Sequence, residues 1–307
     1  MDAEPNLQRW LDLALATAQP DPESLPVIVG PTASGKTTLA IRLAQALDGE
    51  IVSADSVQIY REFDIGSGKP TAEERAQARH HLVDVQDPLD PIDAARFVAM
   101  ADRAIADIRA RGKRPIVCGG TFLWVRALLH GLAPSPAANE ELRERHRLLV
   151  LEQGRTALHD RLKQVDPGSA ARLHPNDVVR VSRALEVFEL TGQCLSGQQE
   201  SHGFQPQRYQ AHLFAIAYPP DALTDRITAR VDAWLAGGWL EEVATLLQRG
   251  YGDTRAMGSV GYRQVAMRLT GQLPEEELNV AIVRATRVFA RRQRTWLNHA
   301  PVVRLGT

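Results

Sequence analysis

Cysteine is nearly missing from this 307-residue chain: only Cys118 and Cys194 occur, far apart and without C-x-x-C spacing. That argues against a disulfide framework or a thiolate zinc site. No apolar run reaches the roughly 20 residues that a membrane-crossing helix needs. The short apolar stretch over residues 10 to 18 carries Asp12 and lacks a basic leader, so no signal peptide is expected. Charge of one sign is also missing, since the formal net charge is −1. Internal repeats and low-complexity tracts are absent, which leaves neither a coiled coil nor a disordered chain. What remains, 44% hydrophobic and 24% charged residues, is the composition of an ordinary soluble enzyme, with length enough for a full core and a second lobe. A cytoplasmic location is the default expectation.

The most specific feature present is a complete G-x-x-x-x-G-K-T loop over residues 30 to 37. An apolar strand precedes it at residues 26 to 29, and helical spacing follows from Thr38. A strand, a glycine loop and a helix N-terminus together make a nest of backbone N–H groups for an anion. Gly30 and Gly35 supply backbone freedom, Lys36 a point charge, and Thr37 a hydroxyl within reach of a bound Mg²⁺.

Apolar runs then alternate with helical segments. Strands are expected at residues 26 to 29, 50 to 54, 81 to 85, 115 to 118, 213 to 217 and 302 to 305. Ile92, Ala95, Val98, Ala101, Ile105 and Ile108 mark an amphipathic helix that Gly112 stops. The pattern predicts an α/β fold, a P-loop NTPase-like parallel sheet flanked by helices. The rhythm breaks between Gly131 and Gly203, where only helical periodicity appears. The domain reading is therefore a catalytic core of residues 1 to 130 and 204 to 307 around an inserted all-helical lobe of residues 131 to 203. The lobe is entered at residues 134 to 136 and left through a turn-rich stretch over 197 to 206.

Ligands of open parallel sheets bind at the carboxyl ends of strands. Three ends carry chemistry: the phosphate loop, Asp55-Ser56, and Gly119-Gly120-Thr121. The 115 to 118 strand ends in glycines and a threonine, where motor-type ATPases have a Mg²⁺-holding acid, which argues against ATP hydrolysis of that kind. Asp55 fits a Mg²⁺ ligand, a substrate hydroxyl ligand, a general base or a helix cap. Basic side chains cluster twice. Arg284, Arg287, Arg291 and Arg294 recur at spacings of three and four, with Arg292 beside them and no acid between Val280 and Asn298. A polyanion partner is expected there. The Arg143, Arg145 and Arg147 cluster is interleaved with Glu140, Glu141 and Glu144, and a solvated face explains it equally well.

The strings GPTASGKT (30 to 37), SADSVQIY (53 to 60), DIGSGKP (64 to 70), GGT (119 to 121), HPND (174 to 177), SRALEV (182 to 187) and VGYRQ (260 to 264) resemble, in order, those of the bacterial tRNA dimethylallyltransferases, also called tRNA isopentenyl transferases. The resemblance spans residues 27 to 296. It implies transfer of a dimethylallyl group from dimethylallyl diphosphate to N6 of the adenosine on the 3′ side of the anticodon, with diphosphate leaving and Mg²⁺ bound. On that reading Gly30, Thr32, Ala33, Ser34, Gly35, Lys36, Thr37, Thr38 and Arg230 hold the diphosphate, and Thr37 reaches the metal. Arg226, one helical turn from Arg230, is the alternative. Asp55, Thr121, Lys36 and Arg230 carry the chemistry, with Asp55 as the base at N6 and Thr121 as a donor to the leaving oxygen.

The anticodon stem-loop would meet Asp55, Ser56, Val57, Gln58, Thr121, Arg143, Val179, Arg180, Val181, Ser182, Arg183, Gly258, Ser259, Val260, Gly261, Tyr262 and Arg263. Tyr60 and Trp124 are candidates to pack a flipped base, or core residues. His80, His81 and His174 read as structural. Residues 122 to 124 read Phe-Leu-Trp where relatives often have a tyrosine third, and the cysteine and histidine finger of eukaryotic relatives is missing. No membrane partner and a monomeric state are expected. The alternative class is a P-loop kinase for a small molecule or nucleotide, which shares the cradle and leaves the arginines and VGYRQ unexplained. A non-catalytic nucleotide-gated RNA-binding protein explains the arginines but not Asp55 and Thr121.

Overall fold

The computed structural model describes residues 6 to 203, 207 to 298 and 302 to 306. The end of the expected lobe exit, residues 204 to 206, lies outside them. Strands β1 (Leu25–Val29), β2 (Gly49–Ser53), β3 (His80–His81), β4 (Arg114–Gly119), β5 (Ala211–Ile216) and β6 (Val303–Leu305) form one sheet in the order β3-β2-β4-β1-β5-β6. Every pairing is parallel. Alternate side chains leave a strand on opposite faces. Val27 and Val29 accordingly join one apolar cluster while Ile28 joins the other with Ile51 and Ile116. Both faces are thus buried, as a sheet built from crossovers requires.

All six strands were expected, but the third is two residues rather than five. Leu82 and Asp84 take positive φ of 59° and 63°, a conformation that cannot continue a ladder. Asp84 instead accepts from the buried Lys69 ammonium at 2.7 Å.

Chain contacts divide the protein into two compact units, residues 1 to 129 with 209 to 307, and residues 130 to 208. The first carries helices α1 (Leu7–Ala18), α2 (Lys36–Ala46), α3 (Ala72–Gln77), α4 (Ala94–Ala110) and most of α5 (Phe122–His130). The second holds α6 (Glu140–Gln153), α7 (Arg155–Val165), α8 (Pro167–Arg172), α9 (Val178–Thr191) and α10 (Leu195–His202), packed on Leu149, Leu158, Leu162, Val181 and Leu185. The chain returns to the first unit with α11 (Pro220–Ala236), α12 (Trp239–Gln248), α13 (Tyr262–Leu269) and α14 (Glu275–Leu297). Among the described residues no helix is long and apolar enough to cross a membrane.

The amphipathic helix read from Ile92 is α4. It starts where the Asp93 carboxylate accepts the Arg96 N–H at 2.8 Å, and Gly112 follows its end at φ 71°.

Candidate active site

The phosphate loop leaves the fully buried β1 and ends at Gly35, whose φ of 84° is open to glycine at little cost and turns the chain into α2 at Lys36. Among the described residues the backbone N–H groups of residues 33 to 38 donate to nothing in the protein. They lie at the N-terminus of a helix, where partial positive charge accumulates, so an anion is their natural acceptor. The Ser34 hydroxyl is fully buried and also lacks a partner. Such an orphan is costly unless a ligand completes it.

Lys36 donates to Pro31 O at 2.7 Å. Withdrawal from water lowers its ammonium to about 8, with Arg230 pushing the same way and the Asp55 carboxylate opposing. Two arginines of α11 therefore meet the loop differently. Arg226 donates from Nε to Ala33 O at 2.7 Å and lies 5.0 Å from the Tyr218 ring centroid. Arg230 contributes charge beside Lys36, its guanidinium 5.5 Å from the Trp234 centroid. Among the described residues no group of three or more His, Cys, Asp or Glu side chains gathers to cage a metal. Mg²⁺ usually keeps several waters and takes one or two protein oxygens plus phosphate oxygens. The Thr37 hydroxyl, in the first turn of α2 directly after the phosphate loop, fits that requirement.

The second strand end supplies the carboxylate. Asp55 Oδ1 accepts the N–H groups of Val57 at 2.9 Å and Gln58 at 3.2 Å, which fixes the side chain as the cap of a turn. Among the described residues its other oxygen accepts no hydrogen bond, so one oxygen is anchored and one is available. Thr121, at the end of β4, closes this corner: its Oγ1 accepts from Ser56 N at 3.0 Å and lies 3.2 Å from Ser56 Oγ, while its N–H donates to Ala54 O at 3.2 Å. Gln58 points its amide nitrogen at Ser67 O and Gly68 O, at 3.1 and 2.9 Å, and so braces the 64 to 70 loop. The strand order β2-β4-β1 sets the Thr121 turn between the Asp55 turn and the phosphate loop, all at the carboxyl edge.

Two further motifs meet on one indole. A Cβ at Gly66 would lie 2.2 Å from the Trp239 ring, and one at Gly261 would lie 2.4 Å from it. Glu242 joins the same loops, accepting Ile65 N at 2.7 Å, Asp64 N at 3.2 Å and the Tyr262 hydroxyl at 2.6 Å. Burial raises both the Glu242 carboxyl and the Tyr262 phenol. Nothing in the sequence had singled out Trp239 or Glu242. Of the 258 to 263 segment, Gly261 and Tyr262 are buried, whereas Gly258, Val260 and Arg263 are exposed. Ser259 donates to Ala256 O at 2.6 Å. Tyr60 and Trp124 are core residues: the Tyr60 hydroxyl accepts Ile92 N–H at 3.0 Å, and Trp124 stacks on Phe97 at 4.4 Å.

In the helical unit, the fully buried Glu186 takes both Arg143 and Arg183 as well as Asn139 N at 2.6 Å. Val181 is buried and Ser182 bonds His146 at 2.8 Å; of the 179 to 183 set, Val179 and Arg180 are exposed, whereas Ser182 and Arg183 are half-buried. On α14 the arrangement is opposite. Arg284, Arg287, Arg291, Arg292 and Arg294 are all exposed, and among the described residues none has an ion-pair partner.

The profile of the IPP transferase family matches residues 58 to 300. A tRNA dimethylallyltransferase of Sorangium cellulosum is 62% identical over 285 residues, covering 93% of this chain and 91% of the relative. The tRNA dimethylallyltransferase 1 of Pelobacter propionicus is 50% identical over 278 residues, 90% of each chain. Among solved structures, the full-length tRNA isopentenylpyrophosphate transferase of Bacillus halodurans superposes with a TM-score of 0.68 at 37% identity, covering 92% of this chain and 89% of that one. A eukaryotic dimethylallyltransferase acting on tRNA gives a TM-score of 0.70 at 28% identity over 89% of this chain and 69% of its own. By sequence along most of its length and by the course of its sheet, the chain belongs to the IPP transferase family, that of the tRNA dimethylallyltransferases.

Proposed function

We propose that this chain transfers a dimethylallyl group from dimethylallyl diphosphate to N6 of the adenosine that follows the anticodon of a tRNA, releasing diphosphate. The observation that carries the reading is a carboxylate with one free oxygen, Asp55, held at the edge of the sheet from which the phosphate loop also leaves. In the transfer, the N6 lone pair forms a bond to the terminal allylic carbon. The carbon–oxygen bond breaks with its electron pair going to the departing diphosphate, and the N6 proton passes to the free oxygen of Asp55. Charge grows on the leaving group, so the donors aimed at it do most of the work: the unpaired N–H groups of residues 33 to 38, Ser34 Oγ, Lys36 and Arg230. Thr121 orients Ser56 and offers its hydroxyl to the same oxygen once the ligand competes with Ser56 Oγ. Mg²⁺ bound with the diphosphate at Thr37 would supply further neutralisation of the leaving group.

The tRNA partner is the anticodon stem-loop, met by Arg263 and the α14 arginines in the sheet unit and by Val179 and Arg180 in the helical one. The protein works as a cytoplasmic monomer. A P-loop kinase would use the same cradle, but it leaves the exposed α14 arginines and the 260 to 264 segment unexplained. The test is incubation with labelled dimethylallyl diphosphate, Mg²⁺ and an anticodon stem-loop. Label on N6 of the adenosine after the anticodon is the expected result, and label in the RNA should vanish when that adenosine is replaced by inosine.

A further inference from the structure

Gln293 is a polar residue on the buried face of α14, only 4% exposed, in phase with Leu278, Ile282, Ala290 and Leu297. Burying an amide is costly unless both ends are satisfied. Here both are, and by the two loops that matter: Oε1 accepts the Thr32 N–H at 2.9 Å, and Nε2 donates to Gly120 O at 2.9 Å. One bonded position lies in the phosphate loop after β1, the other in the turn that carries Thr121 after β4. Those strands are neighbours, with Val29 beside Gly119. Gly120 leaves the room the amide occupies, since a Cβ there would lie 2.5 Å from Gln293 Nε2. The Thr32 N–H is thereby turned to the protein, unlike those of residues 33 to 38.

We infer that Gln293 is a positioning residue: it sets the distance between the cradle that holds the leaving diphosphate and the Thr121, Ser56 and Asp55 corner that meets the nucleophile. This rests on the proposed transfer reaction. In-line displacement is sensitive to that spacing, because a misplacement of about 1 Å can cost on the order of a hundredfold in rate. Without the clamp the two loops keep their own residues, and each still binds its ligand. What is lost is the alignment between them, so the effect falls on the chemical step.

The experiment is Gln293→Met, which keeps the volume and removes both hydrogen bonds, assayed for kcat, for KM of dimethylallyl diphosphate and for stem-loop affinity. The expected result is a fall in kcat of at least tenfold with stem-loop affinity and the diphosphate KM within about threefold of the wild type. A kcat within twofold of wild type overturns the inference, as does a loss that stem-loop affinity or the diphosphate KM fully accounts for. If Gln293→Met does not fold, Gln293→Glu keeps the acceptor for Thr32 N–H and loses the donor to Gly120 O. It should show the same split, and wild-type kcat in it overturns the inference equally. A wild-type protein that transfers no prenyl group would instead refute the reaction itself.

Discussion

In the proposed transfer Asp55 and Lys36 divide the chemistry between them because their surroundings differ. Asp55 is anchored through one oxygen by two backbone N–H groups, as the cap of a turn rather than of a helix, which leaves its second oxygen for the base role proposed for it. Lys36 sits among an anion nest and a neighbouring arginine, and its ammonium is lowered to about 8 before any ligand arrives. A bound diphosphate restores the charge, so binding takes up a proton near that pH. The sign follows: affinity for dimethylallyl diphosphate should be flat below about pH 7 and weaken as pH rises past 8, by up to tenfold per unit. Titration calorimetry in buffers of different ionisation enthalpy should report the uptake, and Lys36→Ala should abolish it while weakening binding at every pH. The loop, Asp55 and Thr121 were legible because motif and strand end coincide. Gln293 was not, since an amide between two arginines reads as surface until its phase on α14 is known. A polar residue at a buried helical phase was the available signal.

Helix α14 has two chemically different faces. Its buried stripe includes the Gln293 clamp, while its arginines stand free of carboxylates among the described residues and suit a phosphate backbone. Arg287→Ala and Arg291→Ala together should therefore weaken stem-loop binding and flatten the dependence of log affinity on log salt, by about 0.7 to 1 for each phosphate no longer neutralised, with little effect on single-turnover rate at saturating RNA. Helices α6 and α9 are the contrast. Arg143 and Arg183 look equally basic in the sequence, yet both are bound by Glu186, a partner whose complete burial no local pattern reveals. Glu186→Ala strands those groups and the Asn139 N–H, at a cost of about 1 to 3 kcal/mol. Limited proteolysis should then cut within residues 130 to 208 sooner than in the wild type, whereas Arg180→Ala should leave the digestion rate unchanged.

At the scale of the whole molecule, crossover rhythm predicted a parallel sheet with a helical insertion, and each strand lies where apolar runs placed it, apart from the early stop of β3. Two-residue β3 is tied to the edge by its ladder with β2 and by Glu50 of β2, which reaches His81 at 2.6 Å and also takes the Arg111 guanidinium. Those hydrogen bonds, Arg111 first, hold the Glu50 carboxyl down at about 2. A carboxyl depressed on folding stabilises above its unfolded value and loses that contribution as pH falls from about 4.5 towards 2. Glu50→Gln should thus lower the thermal midpoint at pH 7, and the difference from wild type should close on acidification through that window. The sheet matters to function because it brings a phosphate cradle, a hydroxyl and a free carboxylate oxygen to one edge. The most direct test of that claim is single-turnover prenyl transfer to an anticodon stem-loop by wild type and Asp55→Asn at saturating substrates. The account predicts label on N6 of the adenosine after the anticodon in the wild type, and a rate about 10² to 10⁴ lower in Asp55→Asn with stem-loop affinity preserved. Equal rates in the two proteins, or ATP-dependent phosphorylation of a small acceptor with no label in the RNA, would contradict it.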